Sequence, residues 1–419
     1  MTTNHSQIAG MDFSDPGTLI ANLETASHRA RVYQTRVIRK TLGYLLRNSE
    51  ICPDLGQSMQ RDPFAGKHQA KSDDSKNHDF RSNERSALVL SPTGSGKTFM
   101  GLATASILQR TYGLRVGWTA MRRNLLTQAS NENIAFGFNV DMQTISMFDR
   151  SPPEVDLLIV DEAHHDGAMS MASLHSMMRP KLVLGLTATP FRQDRIKLCF
   201  EKVIRDVSIR ELIREGWLSK FDHYCLDKYT PESVARCWLS DPQRWGQSAA
   251  FFRFKSEADE CARILTQGGA RAAVVDGESD REQQIADYVN GKLDVLCSML
   301  VLAEGFDCPQ MKTVFCRPSS KGPAVQICGR VLRPFPEFPV KQIVQCRATN
   351  FPFMRIAEPR YKFTFQDGEW KSLTANPNIE EIAKKMELQI AQPLTPSTSM
   401  SWIQRNSRTR SRGSIVIPQ

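Results

Sequence analysis

No uninterrupted apolar run in this chain approaches the roughly 18 residues that cross a bilayer, so no membrane-spanning helix is expected. The opening Met1-Thr2-Thr3-Asn4-His5 lacks the basic-then-apolar layout of a secretion signal, and a cytoplasmic protein is expected. The ten cysteines contain no Cys-x-x-Cys pair, and Cys297, Cys316 and Cys328 lie inside apolar runs. That pattern excludes a zinc frame or a disulfide scaffold and predicts reduced core thiols. His164 and His165 have no partners at metal-ligand spacing. What remains is an ordinary globular composition, 41% hydrophobic and 24% charged, over 419 residues, long enough for two or three domains. The net charge of +9 favours an anionic partner only mildly.

Two segments carry chemistry. Ser91-Pro92-Thr93-Gly94-Ser95-Gly96-Lys97-Thr98 follows the apolar run Ala87-Leu88-Val89-Leu90 and precedes a helix-compatible stretch. Strand, glycine loop and helix are the context of a phosphate-binding loop, in which backbone N–H groups and the helix N-terminus face phosphate oxygens. Thr93, Gly94, Ser95 and Gly96 would form the cradle, Lys97 would reach the β/γ-phosphates and Thr98 would ligate magnesium. Ser91 stands where the strict consensus has glycine. The second segment, Asp161-Glu162-Ala163-His164, ends the apolar strand Asp156–Val160. Asp161 is therefore a magnesium ligand candidate, and Glu162 a candidate base for an attacking water.

The rest of the pattern is α/β. An amphipathic helix is expected over 26–48, and a polar, proline- and glycine-broken insertion over 50–85. Strands at 86–90, 114–120, 140–147, 156–160 and 182–186 alternate with helical segments, and residues 208–220 close the series. A second series begins near Ala249, with strands at 249–254, 272–275, 294–299 and 313–316 and helices at 257–268 and 281–289. Alternation of this kind predicts parallel sheets covered on both faces. From about residue 388 the chain has four arginines (Arg405, Arg408, Arg410, Arg412) and no acidic residue, the composition of a cationic disordered tail.

The set and order of these motifs resemble superfamily 2 helicases and translocases, nearest to the DNA-directed branch with XPB, RadD and the type III restriction motor subunits. Arg31 and Gln34 match the family's upstream nucleotide motif. Thr119–Gln128 and Thr144 match nucleic-acid contacts, and Gly185–Arg192 matches the motif coupling the two sites. Glu304-Gly305-Phe306-Asp307 and Gln326-Ile327-Cys328-Gly329-Arg330-Val331-Leu332-Arg333 match the last two motifs. Arg330 and Arg333, three apart, share a helical face and could act as arginine fingers.

The resemblance implies two RecA-like parallel-sheet lobes in tandem with an ATP cleft between them, plus a mostly irregular C-terminal extension. Its boundaries are an N-terminal segment at 1–25, lobe 1 at 26–220, lobe 2 at 221–350, the extension at 351–387 and the tail at 388–419. It implies ATP and Mg2+, with Lys97, Asp161, Glu162, Arg330 and Arg333 as catalytic residues. Arg31, Gln34, Thr93–Thr98, Gly305, Asp307 and Gln326 would bind nucleotide. The implied activity is an ATP-dependent helicase or translocase on nucleic acid, DNA favoured over RNA, with a protein partner docking through 50–85 or the tail. The alternative is a nucleic-acid-sensing switch or defence-complex motor that separates no strands. Two departures accompany the match: the second lobe's Thr-rich contact is compressed to Gly277–Arg281, and no zinc or nuclease addition is evident.

Overall fold

The computed structural model describes residues 30–46, 85–165, 168–189, 200–276, 280–299, 308–366 and 368–373. The expected insertion up to residue 84, the tail, Pro190–Arg192, Gly277–Ser279 and Glu304–Asp307 lie outside them. The chain divides into two compact units, residues 1–360 and 361–419, and both parallel sheets lie in the first.

Helix α1 (Val32–Leu45) precedes β1 (Arg85–Leu90), α2 (Lys97–Tyr112), β2 (Val116–Ala120), α3 (Arg123–Ala135) and β3 (Met142–Ser146). Then come β4 (Leu157–Asp161), α4 (Ala168–Met178), β5 (Leu182–Thr187) and β6 (Lys202–Ile204). The strands form one sheet in the order β3-β2-β4-β5-β1-β6, parallel at every pairing. Continuous apolar runs become strands buried on both faces because side chains alternate. Leu157 and Ile159 of β4 enter the core beneath α1, α2 and α3, whereas Leu158 and Val160 enter the opposite core with Leu174 and Met178. Helix α2 is buried along most of its length, as expected of a central helix that is apolar on several sides.

The second series is α5 (Ile209–Arg214), β7 (Lys220–Leu226), α6 (Pro231–Ser240), α7 (Pro242–Trp245), β8 (Ser248–Phe251), α8 (Lys255–Gln267) and β9 (Ala272–Val275). It continues through α9 (Arg281–Val289), β10 (Val295–Ser298), β11 (Thr313–Cys316), α10 (Lys321–Val331) and β12 (Val340–Cys346). These strands run β7-β12-β11-β8-β10-β9, again parallel. The α/β, two-sheet architecture expected from the sequence is therefore present. The sequence pattern missed β7, α6 and β12. Helix α6 has a legible start, since Thr230 caps Ser233 N at 3.2 Å and Pro231 opens the first turn. Strand β7 begins where the expected 208–220 segment ends, in a stretch up to Ala249 to which the pattern assigned no element. Ile209, Leu212 and Leu218 from the 208–220 segment pack in one core with Phe221, Val314, Ile327 and Val331 of the second sheet and its helices.

In the second unit, where irregular structure was expected, an antiparallel hairpin joins β13 (Lys362–Gln366) to β14 (Glu369–Ser372). Phe365 stands opposite Trp370, with ring centroids 5.2 Å apart, and such aromatic cross-strand pairs stabilise short ribbons.

Candidate functional site

The glycine loop begins at the C-terminal end of β1, where ligands gather in open α/β sheets. Gly94 and Gly96 have φ of 80° and 78°, a left-handed backbone that glycine adopts without penalty. Gly96 leads directly into α2, whose N-terminus carries no side-chain cap and no acidic residue in its first turn. Ser91, the departure from consensus, donates its hydroxyl to Ser95 Oγ at 2.7 Å and ties its backbone N–H to Thr187 O at 3.0 Å. A side-chain bond thus closes the loop where the family has glycine. Ser95 O accepts from Tyr33 Oη at 2.7 Å and from Gln34 Nε2 at 3.0 Å, so the upstream motif braces the loop from behind. Gln34 Oε1 in turn accepts from Arg31 N at 2.9 Å. Gln34 is buried and its amide is engaged at both ends. Tyr33, which the sequence did not single out, is the more direct brace.

Asp161 closes β4 and pairs in register with Ala120 and Leu186. Its carboxylate accepts from Glu162 N at 2.9 Å. Glu162 has φ 47°, an uncommon backbone for a residue with a side chain, and its Oε1 lies 3.8 Å from Lys97 Nζ. Burial, then the Glu162 charge, push the Asp161 carboxyl up to about 7, with Lys97 pulling the other way. A buried acidic pair of this kind fits a divalent cation, and the hydroxyl of Thr98 stands in the first turn of α2. Among the described residues no cluster of three or more His, Cys, Asp or Glu could hold a metal by itself. Magnesium does not need one, because it keeps waters and binds through one or two carboxylates plus substrate phosphates.

His164 links the two sheets. Thr187 Oγ1 donates to Thr189 O at 2.9 Å, so it accepts from His164 Nδ1 at 3.0 Å. The ring's Nε2 is then the acceptor for Gln326 Nε2 at 2.8 Å, a bond from α10 of the second series to the first. The tautomer follows from this network. Helix α10 also lies against the phosphate loop. A β-carbon on Gly329 would stand 3.3 Å from Thr93 Cβ, and one on Gly94 would stand 3.7 Å from Arg333 Cγ. A side chain at 329 would thus press on Thr93, which would have to give by a few tenths of an ångström. Arg330 is buried at the end of α10.

The structure thus brings together Arg31, Gln34, Thr93–Thr98, Asp161, Glu162, Gln326 and Arg330, whereas Arg333 stands beyond the Leu332 C-cap of α10 and not on the helical face expected for the pair. Gly305 and Asp307 lie outside the described residues. Of the expected nucleic-acid contacts, Thr144 is exposed on β3 but Thr119 is wholly buried, so its hydroxyl cannot reach a backbone outside. Strand β2 is buried along its whole length: Thr119 lies between β3 and β4, paired with Ile145 and Val160. Sequence reasoning also missed Lys341. It is buried, and its Nζ donates to Pro309 O at 2.6 Å and Met311 O at 2.8 Å, just after the Glu304–Asp307 motif. Burial pulls this lysine down to about 8.

Residues 141–192 match the family described as "Type III restriction enzyme, res subunit", and residues 231–334 match "Helicase conserved C-terminal domain". A "51.5 kDa protein" of a Lactococcus phage (isolate 7-9) is 25% identical over 267 residues, covering 55% of this chain and 59% of that protein. "Putative helicase 22" of a Sulfolobus islandicus filamentous virus is 24% identical over 324 residues, covering 59% and 57%. The chain thus spans under three-fifths of the length of either relative. Among solved structures, S. cerevisiae Dbp5 in a single-substitution form bound to RNA and ADP BeF3 superposes with a TM-score of 0.50 at 17% identity. That alignment covers 72% of this chain and 89% of Dbp5, and it shows the RecA-like fold of the two sheets. Residues 141–192 thus resemble a restriction-motor subunit and residues 231–334 a helicase domain, a pairing that supports a superfamily 2 helicase with a type III restriction-like motor.

Proposed function

We propose that this protein is a nucleic-acid-dependent ATP hydrolase that couples hydrolysis to movement along, or unwinding of, nucleic acid. The observation that carries the reading is the contact of α10 and the residues just after it with the glycine loop, Gly329 against Thr93 and the Arg333 stem against Gly94. One triphosphate then touches both lobes. The first lobe supplies the loop, Lys97 and the acidic pair, and the second supplies guanidinium groups. Lys97 holds the β/γ-phosphates. Thr98 and Asp161 are the residues that would hold a magnesium ion, which when bound neutralises charge on the phosphates. Glu162 orients a water and takes its proton as the oxygen attacks the γ-phosphorus in line and the bond to ADP breaks. Arg330 and Arg333 stabilise the charge spread over the transferred group. Gly305 and Asp307 complete the site, with Arg31 and Gln34 at its base end.

Hydrolysis reaches the nucleic acid through the lobe junction. The His164–Gln326 bond and its continuation through Thr187 to Thr189 give the two lobes a shared polar connection that nucleotide state can make or break. DNA is favoured over RNA because the first lobe matches a restriction-enzyme subunit. We take the second lobe to begin with α5 near residue 208 and not at the expected 221, since Ile209, Leu212 and Leu218 pack in its core. It runs to about 350, with a protein partner reaching 50–85 or the tail, in a cytoplasmic protein.

The test is ATPase stimulation measured with single-stranded DNA, duplex DNA, forked DNA and RNA, beside a Lys97→Ala variant. Stimulation by DNA and its loss in Lys97→Ala are expected, the loss being on the order of 10²–10³ in kcat. Stimulated hydrolysis persisting in Lys97→Ala would overturn the site. Strand displacement on tailed duplexes separates a helicase from a translocating switch.

A further inference from the structure

Arg31, at the base end of the site, is held from outside its own helix. Its guanidinium carbon sits 4.7 Å from the centroid of the Trp217 ring, and its Nη1 donates to Tyr33 Oη at 3.1 Å. Tyr33 meets the same indole edge-on at 6.4 Å while it donates to Ser95 O of the phosphate loop. Arg31 and Trp217 are both half-buried, so each keeps a solvent-facing side. Gln34, the residue expected to read the base, is buried and bonded to Ser95 and Arg31, with one N–H and one lone pair left for a base edge. Arg31 is the neighbouring cation at that end, and the indole orients its guanidinium.

Trp217 also opens the short stretch that joins the two sheets. Its backbone N–H donates to Leu212 O at 2.8 Å, which fixes it at the end of α5. Its neighbour Leu218 lies against the phosphate loop, with Cδ2 3.2 Å from where a β-carbon on Gly94 would stand. The next residue, Ser219, donates its backbone N–H to Leu332 O, between Arg330 and Arg333, at 2.7 Å. Three consecutive residues thus touch the base end, the phosphate loop and the arginine-bearing segment.

We infer that Trp217 is a positioning residue for nucleotide: it holds Arg31 flat for the base and, through Leu218 and Ser219, ties base occupancy to the placement of Arg330 and Arg333. The inference rests on the nucleotide-site reading above. A cation–π contact at a half-buried site corresponds to roughly 2- to 30-fold in an equilibrium constant.

The test uses the full chain and four variants: Trp217→Ala, Trp217→Phe, Arg31→Ala and the Trp217→Ala/Arg31→Ala double. The readouts are KM and kcat for ATP with stimulating DNA, and the inhibition constant of inorganic tripolyphosphate, which has phosphates but no base. In Trp217→Ala the KM for ATP should rise about 2- to 30-fold with a smaller change in kcat. The tripolyphosphate constant should stay within about 2-fold of the parent. Trp217→Phe should recover most of the loss, and the double variant should be no worse than Arg31→Ala alone. Equal shifts for ATP and tripolyphosphate, additive losses in the double variant, or an unchanged KM in Trp217→Ala would overturn the inference. A parent protein that hydrolyses no ATP under any condition would instead sink the nucleotide site itself, so the two failures are distinguishable.

Discussion

The first strand of the first sheet and the central β8 of the second both lead into a helix, and the two helices begin in opposite ways. After β1 the chain turns through Gly94 and Gly96 into α2, whose N-terminus has no side-chain cap. After β8 it passes Arg253 and Phe254 into α8, where Glu257 folds back and accepts both backbone N–H groups, at 3.0 and 3.1 Å. A helix N-terminus attracts an anion because its first N–H groups lack intrahelical partners. In the second lobe the protein's own carboxylate fills that role. In the first lobe no side chain caps that end, which suits the proposed phosphate site. On that proposal one parallel-sheet plan serves as a binding lobe and as a lobe that contributes arginines, and the difference lies in a few residues after one strand.

The comparison is broken most severely at the arginines. Arg330→Ala should lower stimulated kcat by about 10³–10⁵, far more than any loss of stability from removing a buried guanidinium would explain. Steady-state ATPase and thermal melting check this together, and a drop under tenfold would remove Arg330 from catalysis.

Asp161 gives the next effect, on stability. Its carboxyl rises from 3.8 unfolded to about 7 folded, so the folded state binds the extra proton between those values. Stability from this group is full below about 4 and is lost as pH rises through about 7. Asp161→Asn should therefore melt several degrees higher than the parent in ligand-free protein at pH 8, with the gap closing toward pH 4, and it should lose hydrolysis. Melting curves across pH decide it.

Lys341 has the reverse form. Its pKa falls from 10.5 to about 8 on folding, so between those values the unfolded chain binds more protons and stability climbs with pH. In Lys341→Met that climb should flatten, read as denaturation midpoints at pH 8, 9 and 10 relative to the parent.

The smallest change sharpens the contrast between the two helix starts. Glu257→Ala should destabilise by about 1 kcal/mol, as loss of a cap does, with KM for ATP unchanged. A large rise in KM would mean that the second helix end also serves nucleotide.

Much of this was legible because the physics is local. The glycine loop, its strand and its helix are neighbours in sequence, and β4 followed by Asp161 carries its burial pattern in five letters. Strand β7 was not assigned, since Lys220–Leu226 mixes polar and apolar residues without a clear period and becomes a strand by pairing with the distant β12. The role of Ser91 was equally hidden: a hydroxyl in place of glycine reads as a defect until Ser95 is seen to accept from it. Thr119 failed in the opposite direction, a hydroxyl at a motif position that strand pairing turns into the core.

By itself the sequence determined the parallel-sheet class, the phosphate loop and the acidic pair, because periodicity and glycine placement act over a few residues. Only the tertiary structure decided that α10 rests on that loop, that His164 bonds Gln326 across 162 positions, and that Trp217 carries Arg31. Those contacts join segments more than a hundred residues apart, and no local pattern encodes which distant surfaces a folded chain will press together.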